Sequence, residues 1–408
     1  MTLTPRPYQI VGRDFLAGRR HALLADEMRV GKTPQAILAA RKAGAQSVLV
    51  VCPAIAVPQW EREFERWWPG GSLPFRRVWS YDKARSRWQD YGVGISVDVF
   101  IPDECHFAKN PEAARTKMVY GKDGFAWNAG ATWPLSGTPA PKHAGELWPM
   151  LFAFGVVKCD YDTFLKHYCR IDWMSQRPVG TREEKIPELK ALLATCMLRR
   201  KRIDVAPDMP GIDFQFLPVE GRPPVDLPSP GSLTDDELLA GCERHANVNR
   251  DDRQAVAMAK VGPVVEHIQF AIHNNLLQQT VVFGWHVEPL SRLVSLLRDA
   301  GITAETITGS TPLRLREQTQ ARFRAGELQV VAANILAAGT AIDLSAARHA
   351  YFLELDWVSG NNLQAANRLV SMDMKDKVTI DVATWPGSHD DRIQRVLMKR
   401  VSELNQLL

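Results

Sequence analysis

The sequence lacks the cysteine patterns of zinc knuckles and disulfide frameworks, because its six cysteines include no C-x-x-C pair. Cys159, His167 and Cys169 lie close together in sequence, but their spacing matches no familiar metal site, and we interpret the cysteines as buried thiols. The N-terminus has no basic segment followed by an apolar one. The longest apolar run, 48–57, is interrupted by Pro53 and is too short to span a bilayer. These absences predict a soluble intracellular chain with no membrane partner.

The chain also has little net charge and no internal repeat. Its 50 Lys and Arg residues exceed its 46 Asp and Glu residues by only four, so any surface that binds nucleic acid must be local. A length of 408 residues exceeds what one hydrophobic core usually serves. Two domains are therefore expected.

Short apolar runs alternate with amphipathic segments in the first part of the chain. Buried strands are predicted at HALLA (21–25), SVLVVC (47–52), VDVFI (97–101) and ATWPLSG (131–137). Helices are predicted at TPQAILAARKAG, which follows the first run, and at VPQWEREFERWW, whose apolar residues have helical spacing. Strands that alternate with helices indicate a parallel sheet covered on both faces.

The middle of the chain differs in composition. Residues 145–205 are predicted to be mainly helical and end in the basic run 199–202, which we interpret either as a phosphate contact or as a solvated face. The four prolines of 221–232 predict a linker or exposed loop, and TDDE (234–237) predicts the start of a helix.

Strands and helices alternate again from residue 280 to VTIDVATW (378–385), and an amphipathic helix is predicted from about Ser388. The fold class predicted is therefore α/β, with two doubly wound parallel-sheet lobes and helical insertions between them.

The stretch LLADEMRVGKTPQAI (23–37) nearly completes a phosphate-binding loop. The usual pattern is Gly, four residues and then Gly-Lys-Ser/Thr, but Asp26 stands at the first glycine position. A strand is predicted before the loop and a helix after it, so free N–H groups at the helix start can point at phosphate oxygens. Lys32 would then reach the β- and γ-phosphates, and Thr33 would ligate Mg²⁺. Asp tolerates unusual turn conformations, so the substitution is compatible with a nucleotide site.

A second acidic element follows another predicted strand. VDVFIPDECHFAKN places Asp103 and Glu104 at the carboxyl end of the strand, where ligands of such sheets bind. Asp103 can hold Mg²⁺ through its hydration shell, and Glu104 can polarise the attacking water. Taken alone, the pair would be interpreted as a solvated turn.

Together these blocks resemble the helicase-like ATPases of superfamily two, Swi/Snf type, and most of all the annealing-helicase branch, in a compact form without accessory domains. The resemblance covers residues 3–385, and MLRRKRIDV (197–205) also matches. In that family Asp at the first glycine position is usual. The matching blocks are RPYQ (6–9), LADEMRVGKT (24–33), VLVVCPAIAVPQWEREFERW (48–67), DECHFAKN (103–110), LSGTPAPKHAGELWPML (135–151), NILAAGTAIDLSAA (334–347) and LQAANRL (363–369).

The resemblance implies two RecA-like lobes. We assign 1–155 to an N-terminal ATP-binding lobe and 156–260 to a helical insertion with the proline-rich linker. The C-terminal helicase lobe is assigned to 261–385, and a C-terminal helix to 386–408.

It also implies roles for individual residues. Adenine would be recognised by Tyr8 and Gln9. The nucleotide site would be coupled to a nucleic-acid groove by His106, Ser136 and Thr138. The catalytic residues would be Lys32, Glu104 and Arg368. Thr33 and Asp103 would hold Mg²⁺, partly through water. The remaining nucleotide contacts would come from Asp26, Met28, Arg29, Val30, Gly31, Lys32 and Thr33 in the first lobe and from Gly339, Asp343, Gln364 and Arg368 in the second.

The sequence departs from the family pattern at three positions. Arg29 and Ala341 replace glycines, and Ser371 stands where the family has a second arginine after Arg368. A transition-state arginine can be worth about 10³ to 10⁵ in rate. Three interpretations stay open. Arg368 alone supplies the charge that the reaction needs, Lys375 takes the place of the second arginine, or the enzyme hydrolyses ATP slowly.

The resemblance therefore predicts an ATP hydrolase that uses Mg²⁺ and couples hydrolysis to translocation on, or remodelling and annealing of, duplex or branched DNA. Contacts would follow the DNA backbone without reading sequence, a protein partner is a candidate for targeting, and the expected location is a bacterial or viral-host cytoplasm. One alternative is a nucleotide-gated DNA-binding clamp with little or no ATP turnover. Another is an RNA-dependent helicase of the same superfamily, which the spacing of DECHFAKN and LRRKRIDV disfavours.

Overall fold

The computed structural model describes residues 4–69, 75–92, 95–173, 176–207, 211–221, 250–338, 342–371, 374, 376–386 and 391–399. The chain folds into two compact units. The first unit extends to Pro207, and the second begins at Asp208.

The first unit is an α/β structure with parallel strands. Its helices are α1 (Pro7–Ala17), α2 (Lys32–Lys42), α3 (Val57–Trp67), α4 (Tyr81–Tyr91), α5 (Ala114–Tyr120), α6 (Phe125–Asn128), α7 (Trp148–Ala153), α8 (Tyr161–Tyr168), α9 (Ile186–Ala194) and α10 (Arg202–Val205). Its strands are β1 (Leu23–Leu24), β2 (Ser47–Cys52), β3 (Phe75–Ser80), β4 (Val97–Pro102), β5 (Ala129–Thr132), β6 (Cys169–Ile171), β7 (Pro178–Thr181) and β8 (Met197–Leu198).

The main sheet of this unit has the parallel order β3-β2-β4-β5, and β1 pairs in parallel with β8. Single bridges join the two sheets, because Leu135 bridges both Leu24, the last residue of β1, and Asp103, which follows β4. The pair β6–β7 is antiparallel.

Alternate residues of β2 enter two different cores, as expected for a strand covered on both faces. Leu49 and Val51 pack with Phe100 and Phe125 on one side. Val48 and Val50 pack on the other side, with Trp60 and Phe64 of α3, which lie one helical turn apart. The predicted parallel sheet with helices on both faces is confirmed for this unit.

The second unit contains a six-stranded parallel sheet of order β11-β12-β10-β13-β14-β9. The strands are β9 (Ile212–Pro218), β10 (Thr280–Gly284), β11 (Ala304–Ile307), β12 (Val330–Asn334), β13 (His349–Phe352) and β14 (Val378–Thr384). The helices are α11 (Arg250–His273), α12 (Val287–Asp299), α13 (Leu313–Arg324), α14 (Ile335–Ala338) and α15 (Ser359–Ala366), and a last helix covers residues 391–399.

By length and composition, α11 is the one helix among the described residues that could cross a membrane, and half of its most apolar window is buried. Val261, Val264 and Ile268 of this helix pack into the core of the second unit against Leu290 and Tyr351.

The alternation of strands and helices from residue 280 to 385 is confirmed, and the helix predicted from about Ser388 is described over residues 391–399. The helix predicted at 234–237 and most of the proline-rich stretch lie outside the described residues. Within 145–205, helices do predominate, but β6–β7 adds an antiparallel pair. The four domain boundaries assigned from the sequence stay predictions.

Strand β9 was not predicted. It pairs in parallel with β14 from Ile212–Val378 to Pro218–Thr384 and forms an edge of the second sheet. Its sequence IDFQFLP alternates apolar and polar residues at the start, which is the pattern of a half-buried strand. The signal was therefore present, although the strand falls within 156–260, which was assigned to a helical insertion and linker.

Candidate nucleotide-binding site

The predicted site of the first unit lies at one edge of its parallel strands. The phosphate-binding loop follows β1, Asp103 and Glu104 follow β4, and the segment 135–137 runs between them. Backbone bonds fix this order: Leu24 N–H donates to Pro134 O at 3.0 Å, and Leu135 N–H donates to Pro102 O at 3.0 Å. Because parallel strands end at a common edge, residues far apart in sequence meet here.

The loop turns into α2 through left-handed backbone conformations. Gly31 precedes the helix with φ of 76°, a conformation that glycine adopts without strain. Arg29 also has a positive φ, of 66°. Since L side chains rarely adopt this conformation, the family's usual glycine at this position has a direct structural reason, and Arg29 strains the loop.

Lys32 folds back onto the loop. Its Nζ donates to Asp26 O at 2.9 Å and to Glu27 O at 3.2 Å. Burial lowers the pKa of Lys32, while the negative charges of Glu104, Asp26 and Asp103 oppose this shift. A Cβ added to Gly137 would lie 3.5 Å from Nζ and 2.8 Å from Met28 Cγ, so the loop and the glycine make a close backbone cradle.

Asp103 is held from three sides. Trp60 Nε1 donates to its Oδ2 at 2.7 Å, and the Glu104 N–H donates to Oδ1 at 3.0 Å. The hydroxyl of Tyr81 donates to the carbonyl of Asp103 at 2.9 Å. Burial raises the pKa of Asp103 to about 6, the Glu104 charge adds to this effect, and the Trp60 donor opposes it.

Glu104 lies beside the predicted coupling residues. Its φ of 50° is left-handed, which is the kind of backbone strain that clusters at functional sites. His106 Nδ1 lies 3.4 Å from Glu104 Oε2 and 3.0 Å from Ser136 Oγ. Ser136 Oγ in turn accepts the Thr138 N–H at 3.1 Å. The structure thus joins His106, Ser136 and Thr138 in one hydrogen-bonded chain next to Glu104.

Asp26, the residue at the first glycine position, is fully buried. Its Oδ1 accepts a bond from Arg200 Nε at 2.9 Å, and its Oδ2 accepts one from Arg200 Nη2 at 2.5 Å. Gln35 Nε2 also donates to Oδ2, at 3.2 Å. Asp26 is therefore a buried, paired carboxylate and not a conformational substitute for glycine.

Two side chains of the basic run 199–202 bind protein groups, whereas Lys201 is exposed, and a phosphate contact from this run stays a prediction. Arg199 Nη1 donates to Ala25 O at 2.9 Å and to Gly137 O at 3.0 Å, and Arg200 pairs with Asp26. Both side chains bind protein groups of the loop, because β8 runs parallel to β1 and delivers them there.

Tyr8 and Gln9 are buried at the start of α1. Gln9 Oε1 accepts the Arg6 N–H at 2.9 Å and so caps its own helix. Burial raises the pKa of Tyr8, whose hydroxyl has no hydrogen-bond partner among the described residues. A buried hydroxyl in that condition is a candidate contact for a ligand.

In the second unit, Gln364 is buried in α15, and Arg368 lies in the 3₁₀ turn Asn367–Leu369. Leu344 N–H donates to Arg368 O at 3.0 Å, so the segment that contains Asp343 lies next to Arg368. Asp343 Oδ1 accepts the Ser345 N–H at 3.2 Å. Gly339, like Ala341 and Lys375, lies outside the described residues. The predicted approach of Arg368 to the γ-phosphate stays a prediction.

The donor set of the first unit fits a magnesium nucleotide. Carboxylate and hydroxyl oxygens are the ligands that Mg²⁺ prefers, and Asp103, Glu104 and Thr33 supply them at the loop edge. No group of three or more His, Cys, Asp or Glu residues forms a metal site in the described part of the chain. A metal ion here would therefore need phosphate oxygens and water as further ligands.

Sequence reasoning missed two groups of supporting residues. Trp60 was interpreted as core packing; it is fully buried, but its indole also bonds Asp103. Arg200 and Gly137 were not assigned to the site. The available signal for Arg200 was Asp26 itself, because a carboxylate that follows the buried strand LLA needs a cation if it is buried too.

Two family models match the chain. Residues 8–95 match the SNF2-related domain, and residues 261–373 match the helicase conserved C-terminal domain. The solved helicase domain of Hef from Pyrococcus furiosus covers 96% of this chain, and the chain covers 97% of it, with a TM-score of 0.50 and 14% identity, a likeness of fold alone.

Two relatives are similar along nearly the whole chain. The first, from Xenopus tropicalis, is SWI/SNF-related matrix-associated actin-dependent regulator of chromatin subfamily A-like protein 1, which is 26% identical over 98% of this chain. The second is DNA annealing helicase and endonuclease ZRANB3 from Bos taurus, which is 26% identical over 97% of this chain. The chain covers 44% and 40% of these relatives, less than half of each.

The fold and the site define a helicase-like protein with two RecA-like lobes and a phosphate-binding loop in the first. More particularly, the chain has an SNF2-related domain followed by a helicase conserved C-terminal domain, and it is similar to SWI/SNF-related proteins and to DNA annealing helicases. The family resemblance predicted from the motifs, including the likeness to annealing helicases, is confirmed.

Proposed function

We propose that this chain is a DNA-dependent ATP hydrolase that couples hydrolysis to translocation on, or remodelling and annealing of, duplex or branched DNA. The observation that carries the proposal is the meeting of Lys32 with Asp103 and Glu104 at one edge of the first sheet. A cation at the end of a phosphate-binding loop and two carboxylates after β4 are the groups that phosphoryl transfer to water requires.

Each residue has a distinct task in this proposal. Lys32 exchanges its two carbonyl acceptors on the loop for phosphate oxygens, which are stronger partners because they carry charge. Thr33 and Asp103 hold Mg²⁺, which neutralises phosphate charge when bound. Glu104 orients and polarises the attacking water, and Tyr8 and Gln9 contact the adenine.

A movement of the Glu104 carboxylate would be coupled to a DNA-binding groove through His106, Ser136 and Thr138. Their hydrogen-bonded chain begins 3.4 Å from Glu104, so movement of that carboxylate changes the partner of His106. In the second lobe, Arg368 would stabilise charge on the γ-phosphate.

DNA is proposed as the partner on two grounds. The relative from Bos taurus carries the name of a DNA annealing helicase, and the motif spacing of this chain is of the Swi/Snf type. Binding through phosphate groups releases counterions, and the affinity should therefore fall steeply with salt. A protein partner for targeting and the cytoplasmic location also stay proposals.

The test measures phosphate release from ATP and Mg²⁺ without nucleic acid and with single-stranded DNA, duplex DNA, forked DNA or duplex RNA. We expect the DNA cofactors to stimulate release and Lys32→Ala to abolish it. Glu104→Gln should bind nucleotide but lose turnover. Lys42→Ala is the matched control, because Lys42 ends the same helix and pairs with Asp14 at the surface.

A rate of phosphate release that changes neither with DNA nor with Lys32→Ala would refute the hydrolase proposal. Stimulation by duplex RNA equal to that by duplex DNA would favour the RNA-dependent alternative.

A second candidate function is a nucleotide-gated DNA-binding clamp with little turnover. Ser371 favours it, because it replaces the second family arginine and lies only three residues after Arg368. The clamp requires that ATP changes DNA affinity in the wild-type chain while phosphate release stays at the background of Lys32→Ala.

A further inference from the structure

We propose that Arg200 is a positioning residue of the nucleotide site, which fixes the phosphate-binding loop to the first helix. The inference rests on the proposed nucleotide binding but not on hydrolysis or on DNA. It assigns a task to a residue that lies 174 positions from its partner in the loop.

One guanidinium joins three elements around the loop. Arg200 donates two bonds to the Asp26 carboxylate in the loop and one to Gln35 Oε1 of α2, at 2.7 Å. Its Nη1 donates to the carbonyl of Tyr8 in α1, and its Cζ lies 5.6 Å from the Tyr8 ring centroid. The loop, the helix after it and the helix proposed to contact adenine therefore share one side chain.

Gly12 of α1 lies directly against this polar cluster. A Cβ on Gly12 of α1 would lie 1.7 Å from Gln35 Oε1 and 2.9 Å from Arg200 Nη2. Gln35 also donates to Gly31 O at 3.0 Å, directly before α2. The position of α1 relative to the loop thus depends on this polar cluster.

The backbone that carries Arg200 is bonded to the loop on both sides of it. Ala25 N–H donates to Leu198 O at 2.8 Å, and Glu27 N–H donates to Arg200 O at 3.1 Å. The Arg202 N–H donates to Glu27 Oε2 at 2.8 Å. This ladder continues the β1–β8 pairing, so Arg200 is held by the sheet and not by its side chain alone.

Removing Arg200 would leave the Asp26 carboxylate buried without its cation. Asp26 has no solvent exposure and the Arg200 side chain has 14%, so water cannot replace the lost charge. We expect the loop to shift until the carboxylate reaches solvent, which spoils the phosphate cradle. Asp26→Gly removes the carboxylate and supplies the residue that ordinary loops have at this position.

The experiment measures equilibrium binding of fluorescent ADP and CDP to the full chain. The variants are Arg200→Met, Arg200→Lys, and Arg200→Met combined with Asp26→Gly. The matched control is Lys201→Met, the exposed neighbouring cation. Melting temperatures are recorded so that affinities are compared only where each variant is folded.

We expect Arg200→Met to weaken ADP binding at least about tenfold, a change of about 1.4 kcal/mol. Arg200→Lys keeps the charge but not the several directed bonds, so its affinity should lie in between. The double variant should recover most of the loss, since no buried carboxylate remains. Lys201→Met should bind ADP as the wild type does.

Base preference separates positioning from a general loss of packing. Because Arg200 ties α1 to the loop, its removal should reduce the preference for ADP over CDP, whereas mere destabilisation weakens both in proportion. The inference is overturned if folded Arg200→Met binds ADP with wild-type affinity, or if the ADP to CDP ratio is unchanged. A wild-type chain that binds no nucleotide would instead overturn the proposed function.

Discussion

The hydrogen bond from Trp60 to Asp103 offers a sharp perturbation of the proposed metal site. Trp60→Phe removes the indole N–H that lies 2.7 Å from Asp103 Oδ2 but keeps an aromatic ring in a fully buried position. Asp103 keeps the backbone bond from the Glu104 N–H. The substitution therefore removes one donor from a carboxylate that must be ionised and oriented to hold Mg²⁺.

The magnitude follows from the energy of one such bond. A hydrogen bond to a charged group contributes about 1.5–3 kcal/mol, and one pKa unit corresponds to about 1.36 kcal/mol. Burial already raises the pKa of Asp103 to about 6, and the Trp60 donor opposes this shift. In Trp60→Phe the pKa should rise by about one to two further units.

The sign of the effect on stability follows from the same shift. Because the folded pKa of Asp103 is raised, ionisation of this carboxyl reduces folding stability as the pH rises above its unfolded value. The pKa rises further in Trp60→Phe, so the difference in unfolding free energy between the two proteins should grow as the pH passes through about 6.

The assay is the Mg²⁺ dependence of fluorescent nucleotide binding between about pH 5.5 and 8.5. We expect Trp60→Phe to require more Mg²⁺ near neutral pH and to approach the wild type at the alkaline end. Trp67→Phe is the matched control, since Trp67 lies on the same helix and donates to Glu63 Oε2 at 2.8 Å, away from Asp103. An identical Mg²⁺ dependence in wild type and Trp60→Phe, or an equal change in Trp67→Phe, would refute the reasoning.

Four further substitutions test the packing and the backbone of the two units. Gly12→Ala should destabilise the chain by about 1–3 kcal/mol in urea unfolding, since its methyl group overlaps a neighbouring side chain. Its counterpart is Gly262→Ala, where a Cβ meets nothing within 4 Å. That substitution should stabilise α11 by about 0.5–1 kcal/mol in the same assay. Arg29→Gly should stabilise the fold by up to about 1 kcal/mol, because it relieves a left-handed φ, and an unchanged urea midpoint would contradict this. Burial lowers the pKa of His106 to about 3, so stability should be lost as the pH falls below about 6.5 towards 3, and His106→Gln should reduce that loss by up to about 1.4 kcal/mol per pH unit.

Much of each lobe was predictable because its signals are local. The run SVLVVC is apolar throughout and ends before Pro53, and the structure has a strand at Ser47–Cys52. The loop 26–33 could be located because a short motif specifies it between a strand and a helix. The sequence showed only that Arg29 departs from the family pattern, which has glycine at this position. The positive φ of Arg29 explains why glycine is usual there.

The contacts that complete the site were not predictable in the same way. Trp60 has the helical spacing of a core residue and is one, and nothing in that spacing indicates that its N–H meets Asp103. Arg200 belongs to a basic run whose local sequence fits a solvated face. Strand β9 lies just before the proline-rich stretch 221–232, within the segment 156–260 that was assigned to a helical insertion and linker, and an edge strand tolerates Pro218 at its end.

The amino-acid sequence by itself located most of the buried strands, the helices beside them and the phosphate-binding loop, since hydrophobic period and turn residues act over a few positions. Only the tertiary structure decided which side chains meet at the ends of the strands. Parallel strands bring Asp26 and Arg200 together from opposite ends of the first unit. The register of those strands is set by the packing of the whole sheet, and no local pattern records it.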